Sequence, residues 1–343
     1  MNILVIGAGL IGRERISAIK KISSNFSLKF NIVVVDKNEE LLKKIKDEFN
    51  ISITSNLQKE LCKNPDWIFI CTPHSIAPDI LKESFSHSKN ILVEKPLGRN
   101  LEECNKIVDL KPNDTNLYVG YNYKFYRGVN LLLNHIKEKF FGDLISVNMI
   151  LGHGNSPGME NSWKLNPDMC GGGCLIDPGV HLFDIALEIS ESKLKVCGGK
   201  YWKGFWKTGI EEEAHIVLEN ENNVIFNIQS SLNRWRSNFR LEANGTEGYG
   251  VVYGRGRSYG DQVYKTGKKW GWQSGKNQAD SEIYHIENYT AEDSFYEEML
   301  SLFSLDSEHI LNSKIYNSDH KSAKKVMEIL KKCRKELQIK EKL

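Results

Sequence analysis

Three groups of residues in this sequence have the types and spacing of chemical machinery. The first is Gly7-Ala-Gly-Leu-Ile-Gly12, directly after the apolar run Ile3 to Ile6 and at the start of a helical pattern. In such a strand, turn and helix the first glycine permits the tight turn and the second lets a pyrophosphate reach the backbone. The third lets helix and strand pack closely, and the first helical residues, Leu10 and Ile11, offer unpaired N–H donors to an anion. Asp36 closes the second apolar run, Ile32 to Val35, where a carboxylate accepts from ribose hydroxyls. That carboxylate repels a 2′-phosphate, so NAD(H) is favoured over NADP(H), with the adjacent Lys37 as the feature on the other side.

The second group is Cys71-Thr72-Pro73-His74 and Glu94-Lys95-Pro96, which follow the third and fourth apolar runs. Ends of parallel strands are where open α/β sheets bind ligands, so Lys95, its backbone restricted by Pro96, is a cation at the mouth of the crevice. The third group is Asp177 and His181 in Gly171-Gly-Gly-Cys-Leu-Ile-Asp-Pro-Gly-Val-His181. Pro178 suits the first turn of a helix running to about Ile189 and Asp177 suits its N-cap, which places His181 one turn beyond the acid on the same side. An imidazole beside a carboxylate can be oriented by it and take a proton near neutral pH. An aspartate that only caps and a histidine satisfied in an interior fit the spacing equally well.

The elements that must position these groups are legible as two textures. Up to residue 122, short β-branched runs (Ile3 to Ile6, Ile32 to Val35, Trp67 to Ile70, Ile91 to Val93, Leu117 to Val119) alternate with amphipathic segments, which predicts a parallel sheet with helices on both faces. From 123 to about 290 longer alternating runs take over (Ile145 to Ile150, Ala214 to Glu219, Val224 to Ser230, Phe239 to Ala243), the pattern of an antiparallel sheet with one solvated face. Glu292 to Phe303 and Ser318 to Leu337 read as helices that pack back on the first domain.

The fold class expected is therefore an α/β Rossmann domain plus an α+β domain with a mostly antiparallel open sheet. Composition agrees with a globular chain: 343 residues, 46 Lys and Arg against 44 Asp and Glu, and 40% hydrophobic residues. The near-neutral total gives no electrostatic ground for nucleic acid as the main partner. No apolar stretch approaches a membrane span and none resembles a signal core, so the expectation is a cytoplasmic protein with no membrane partner. The seven scattered cysteines are expected to be reduced thiols, and no metal site is expected, because Cys170 and Cys174 with His153 or His181 lack the paired spacing of closed zinc sites.

In order and spacing, the glycine turn, Thr72-Pro73, Glu94-Lys95-Pro96, Gly120-Tyr121-Asn122 and the triple glycine with Asp177 and His181 resemble the glucose-fructose oxidoreductase, inositol dehydrogenase and rhizopine catabolism (Gfo/Idh/MocA) family over nearly the whole chain. The resemblance implies Lys95, Asp177 and His181 as the catalytic group, with Thr72, Pro73, His74, Glu94 and Lys95 on the cofactor side. It also implies a sheet that joins copies into a homodimer or homotetramer. The implied activity is NAD-dependent hydride transfer between nicotinamide and the hydroxyl or keto carbon of a sugar, either a simple polyol such as inositol or a nucleotide-activated or acidic sugar of surface-glycan biosynthesis. His181 would take the hydroxyl proton, Lys95 would stabilise charge on the oxygen, and Asp177 would hold the imidazole's tautomer. A dinucleotide-binding sensor would share the fold, yet it has no need of all three residues together.

Asn122 and Tyr123 are expected to reach the substrate, with His153, Trp163 and Lys164 on the loop ahead of the triple glycine, although Trp163 suits plain packing as well. His74, where many members carry a smaller polar residue, and Lys164, where an arginine is common, depart from the family pattern. Finally, Arg255, Arg257, Lys265, Lys268, Lys269 and Lys276 are interleaved with Tyr259, Tyr264, Trp270 and Trp272. Such a run is read as a solvated hairpin face or an oligomer contact, or more sharply as the receiver of an anionic substrate.

Overall fold

Short β-branched runs between amphipathic segments fold as successive βα units in the first third of the chain. The structure, a computed structural model, describes residues 1–270, 282–287, 291–307, 317–337 and 339–341. The elements β1 (Asn2–Ile6), α1 (Leu10–Asn25), β2 (Asn31–Val35), α2 (Glu39–Phe49), β3 (Ser52–Thr54), α3 (Leu57–Leu61), β4 (Trp67–Ile70), α4 (Ala77–Ser84), β5 (Asn90–Glu94), α5 (Leu101–Leu110) and β6 (Asn116–Gly120) follow in turn. Their strands form one parallel sheet in the order β3-β2-β1-β4-β5-β6, the doubly wound dinucleotide-binding order. The order reverses between β1 and β4, so the glycine turn after β1 and Cys71 to His74 after β4 face one crevice.

Alternation along β1 feeds both faces of this sheet. Ile3 and Val5 pack with Ile16 and Ile19 of α1, while Leu4 and Ile6 join Leu81 of α4 and Ile107 of α5. Helix α1 buries Gly12, Arg15, Ile16, Ile19 and Ile22, one face at helical spacing. Asn38 starts α2 by accepting from the Leu41 N–H, with Glu39 and Glu40 in the first turn, where the helix dipole favours acids.

The second part comprises α6 (Arg127–Lys137), β7 (Leu144–Gly152), α7 (Pro167–Cys170), α8 (Val180–Ser190), β8 (Leu194–Lys203), β9 (Glu213–Asn220), β10 (Ile225–Ser231), β11 (Asn238–Gly245), β12 (Gly248–Tyr253), β13 (Gln262–Lys268), β14 (Glu282–Glu287), α9 (Ala291–Leu302), α10 (His320–Glu336) and β15 (Ile339–Glu341). Its sheet runs β14-β13-β12-β11-β7-β10-β9-β8-β15. All neighbours are antiparallel except β7 with β10 and β8 with β15. Inward residues such as Leu218, Phe226 and Ile228 share one core with Leu182, Phe183 and Ile185 of α8.

The chain then returns to its first sheet. Helix α9 lies against α1 and α10 against α5, and the Val119 N–H at the open edge of β6 donates to the Ser318 carbonyl at 2.8 Å. Among the described residues no helix is long and apolar enough to cross a membrane. All seven cysteines are unpaired.

Candidate active site

The glycine turn makes a cradle whose three glycines meet different surroundings. Gly7 has φ +108°, and a Cβ there would lie 2.6 Å from the Cys71 carbonyl oxygen. A Cβ on Gly12 would lie 2.0 Å from the Gly7 oxygen, whereas one on Gly9 would meet nothing within 4 Å. The first and third positions are therefore demanded by the fold, while the second opens on free space at the start of α1, where no side chain caps the helix. Asp36 steadies this turn, its two carboxylate oxygens accepting from the Ala8 N–H at 2.7 Å and the Asn38 N–H at 2.8 Å. A carboxylate has about four acceptor sites, so two remain. Across the crevice the Thr72 hydroxyl is buried without a hydrogen-bond partner among the described residues. The open approach at Gly9, the uncapped N–H groups of Leu10 and Ile11, the spare Asp36 lone pairs and the orphaned Thr72 hydroxyl together fit a nicotinamide dinucleotide.

At the carboxyl end of β5, Lys95 Nζ donates to Asp177 Oδ1 at 2.6 Å, and Lys164 Nζ stands 3.4 Å from the other oxygen. The side chains of Lys95 and Asp177 are only 15% and 25% exposed. Burial by itself would raise the Asp177 carboxyl, but Lys95 and Lys164 outweigh it and hold the group well below the ordinary carboxylate range. Asp177 raises Lys164 in return. His181 is 3% exposed, and neither ring nitrogen has a hydrogen-bond partner among the described residues. Burial first, then the charge of Lys95, pushes its imidazole well below the usual value, so the ring is neutral. Tyr123 stacks on that ring with centroids 3.8 Å apart, and Tyr121 meets it edge-on at 6.0 Å.

Two further histidines share this neighbourhood. His74 Nδ1 is 2.9 Å from the Cys170 carbonyl oxygen, which can only accept, so the ring carries its proton there; burial and Lys95 push its pKa down to about 4. Its ring meets Trp163 edge-on at 4.9 Å. His153 is likewise lowered by burial. From the loop between β12 and β13, Arg255 lays its guanidinium 3.8 Å from the Tyr259 ring and 5.1 Å from the Tyr123 ring, and donates to the Tyr126 hydroxyl at 3.1 Å.

Comparison with known proteins agrees with this geometry. Residues 1–121 match the oxidoreductase family, NAD-binding Rossmann fold, of Gfo/Idh/MocA, and residues 130–250 match the C-terminal domain of the same family. The chain belongs to the Gfo/Idh/MocA family. Levoglucosan dehydrogenase of Pseudarthrobacter phenanthrenivorans is 24% identical over 283 residues, 72% of either chain. Inositol 2-dehydrogenase of Corynebacterium glutamicum is 21% identical over 68% of this chain and 67% of its own. Among solved structures, levoglucosan dehydrogenase in complex with NADH superposes with a TM-score of 0.80 at 18% identity, covering 98% of each chain. A 3-ketoreductase from Actinomadura kijaniata in complex with NADP and TDP-benzene superposes at 0.77 and 12% identity, covering 100% of this chain and 99% of its own.

Within this Gfo/Idh/MocA frame several sequence expectations need correction. Asp177 does not cap α8: the helix starts at Val180 behind Gly179, and the carboxylate is claimed by two lysines instead of by the helix or the His181 ring. Glu94, expected on the cofactor side, has its Oε1 held by the buried Arg15 guanidinium, which also pairs with Glu298 of α9. Asn122, expected to reach the substrate, is buried, and its amide donates to Ser294 Oγ of α9 at 2.8 Å. The basic and aromatic run does not act as one surface. Arg257 pairs with Glu14 of α1 at 2.7 Å, Lys269 with Glu247 at 2.7 Å, and Lys268 donates to the Phe140 carbonyl, while Trp272 and Lys276 lie outside the described residues.

Arg15, Lys124 and Tyr259 were not singled out for the positions they take. Lys124 is buried against Asp184 at 3.1 Å, which gives that aspartate a structural part, and the Tyr259 ring lies under the Arg255 guanidinium. A signal existed for Arg15, which shares the apolar face of α1 with Gly12 and Ile19. The triple glycine also has a packing reason, since a Cβ on Gly173 would lie 1.8 Å from the Glu211 carbonyl oxygen.

Proposed function

We propose that this member of a sugar oxidoreductase family transfers hydride between NAD(H) and a hydroxyl or keto carbon of a sugar or sugar derivative. The observation that carries the reading is the partly buried Lys95–Asp177 pair at the end of β5 together with a neutral His181 that has no hydrogen-bond partner among the described residues, on the crevice that the glycine turn opens. Bound dinucleotide would supply the hydride acceptor or donor, held by Gly7, Gly9, Leu10, Ile11 and Gly12, by Asp36 and by Thr72, Pro73 and His74.

The remaining work falls to side chains of this chain. His181 is kept neutral, the form that takes a hydroxyl proton, and binding a substrate hydroxyl would satisfy its empty ring nitrogens. Lys95 is a fixed cation for the negative charge that develops on the same oxygen. Asp177, ionised between two lysines, acts by positioning Lys95. Trp163 offers an apolar ring face to the C–H side of a sugar, with His153 and Lys164 as polar neighbours, while Tyr123, its ring between His181 and Arg255, holds those two side chains in place. Asp36 favours NAD over NADP, because a 2′-phosphate would have to stand against its carboxylate.

The test is nicotinamide absorbance on mixing the protein with NAD or NADP and a panel of free, acidic and nucleotide-linked sugars. A substrate-dependent change, larger with NAD, is expected. Silence with every sugar, alongside proven cofactor binding, would favour a dinucleotide sensor instead.

A further inference from the structure

The candidate site holds more positive charge than its own residues balance. Lys95 and Lys164 share one carboxylate, Asp177, and no other described carboxylate forms an ion pair with either. Arg255 has none within ion-pair distance among the described residues: it donates to the Tyr126 hydroxyl and lies over the Tyr123 and Tyr259 rings, and its Nε is buried without any partner. His74, His153 and His181 are all held neutral. Among the described residues three cations therefore face one anion; the Lys164 side chain is 44% exposed, but the Arg255 Nε is buried, where an unpaired charge is costly unless a ligand neutralises it.

Two tyrosine rings hold Arg255. The Tyr259 ring lies under its guanidinium at 3.8 Å. On the other side Tyr123, stacked on His181, also lies against Arg255. Arg257, two residues along the same loop, is spent on Glu14, so the two arginines have separate tasks: one fastens the loop to α1 and the other is left for a ligand.

We propose that Arg255, which lies over the Tyr123 ring that stacks on His181, receives an anionic group, a carboxylate or a phosphate, on the sugar whose carbon reacts next to Lys95 and His181. The planar fork of arginine matches either anion in a bidentate manner. The inference rests on the dehydrogenase reading above for the identity of the ligand as a sugar, while the anion site itself stands on the charge balance.

The experiment measures binding and turnover of matched probes, D-glucose, D-glucuronate and glucose 1-phosphate, in the wild-type protein, Arg255→Gln and Arg255→Lys, each first checked for a native thermal transition. Titration calorimetry on NADH-loaded protein gives affinity, and nicotinamide absorbance gives turnover. The acidic or the phosphorylated probe is expected to bind at least about 10-fold more tightly than glucose. Arg255→Gln should weaken that probe about 10- to 100-fold while leaving glucose unchanged, as loss of a charged hydrogen-bond pair does. Arg255→Lys should recover part of the loss, and whichever probe responds identifies carboxylate or phosphate. If no sugar turns over, the hydride-transfer reading fails, yet the calorimetry still decides the anion site. Equal binding of glucose and both anions, absence of binding by either anion, or unchanged anion affinity in Arg255→Gln would each overturn the proposal.

Discussion

Replacing His74 by asparagine probes the electrostatics of the site through stability. In the fold His74 holds its proton on Nδ1 toward the Cys170 carbonyl, and burial with Lys95 lowers its pKa from 6.5 to about 4. A histidine whose folded value is depressed stays neutral in the native state while the unfolded chain takes up the proton. Stability is therefore complete well above pH 6.5 and falls as the pH drops through 6.5 toward 4. Between about pH 7 and about pH 5 the linkage relation gives a loss of about 2 kcal/mol from this one ring. His181 and His153 act with the same sign, and Glu298, raised by burial to about 7, with the opposite sign. Those contributions are common to both proteins and cancel in the comparison. Asparagine can still donate to the Cys170 carbonyl but does not titrate. Urea unfolding followed by tryptophan fluorescence at the two pH values should show the wild type losing about 2 kcal/mol more than His74→Asn on acidification. Equal losses in the two proteins would refute the claim that this ring is held neutral.

Four further outcomes follow from the structure. Gly9→Ala should leave the thermal transition of the free protein nearly unchanged and weaken dinucleotide binding at least about 10-fold, because its Cβ occupies only the open approach. Gly12→Ala should instead destabilise the free protein by about 1–3 kcal/mol, since its Cβ meets the Gly7 carbonyl; calorimetric melting separates the two. Arg15→Ala leaves Glu94 and Glu298 buried without their cation and should cost about 3–5 kcal/mol in denaturant unfolding. The pH profile of kcat/KM should show no acid limb in the ordinary histidine range, because His181 titrates well below it in the free protein; a limb near 6.5 that vanishes in His181→Asn would contradict this assignment.

What the sequence reveals depends on whether a constraint is local. Gly7, Gly9 and Gly12 are readable because their demands arise within one strand, turn and helix, and the apolar runs at Ile3, Ile32, Trp67, Ile91 and Leu117 announce strands buried on both faces. Strand β3 is too short to carry a pattern, and β8 is masked by Gly198 and Gly199 beside a register shift. The parallel pairing of β7 with β10 is invisible because alternation reports which face is buried and not which way a neighbour runs. At the site, Lys95, Asp177 and His181 are named by their motifs, but their partners are not. Nothing near Asp177 in the chain says that it serves two lysines rather than α8, and Asn122 and Glu94 sit in motifs yet are consumed by α9 and α1. Arg255 and Arg257 look alike in sequence, and only the fold gives Glu14 to one and leaves the other without a carboxylate among the described residues.

The most direct test of the central claim is turnover by Lys95→Ala beside the wild type, with NAD and the sugar that the panel selects, while dinucleotide affinity is followed by fluorescence. Lys95 is the cation facing the developing charge, so kcat should fall by at least about 100-fold, the scale for losing one electrostatic stabiliser, with dinucleotide affinity changed only a few-fold. A variant that binds dinucleotide normally and retains near-wild-type turnover would contradict the account.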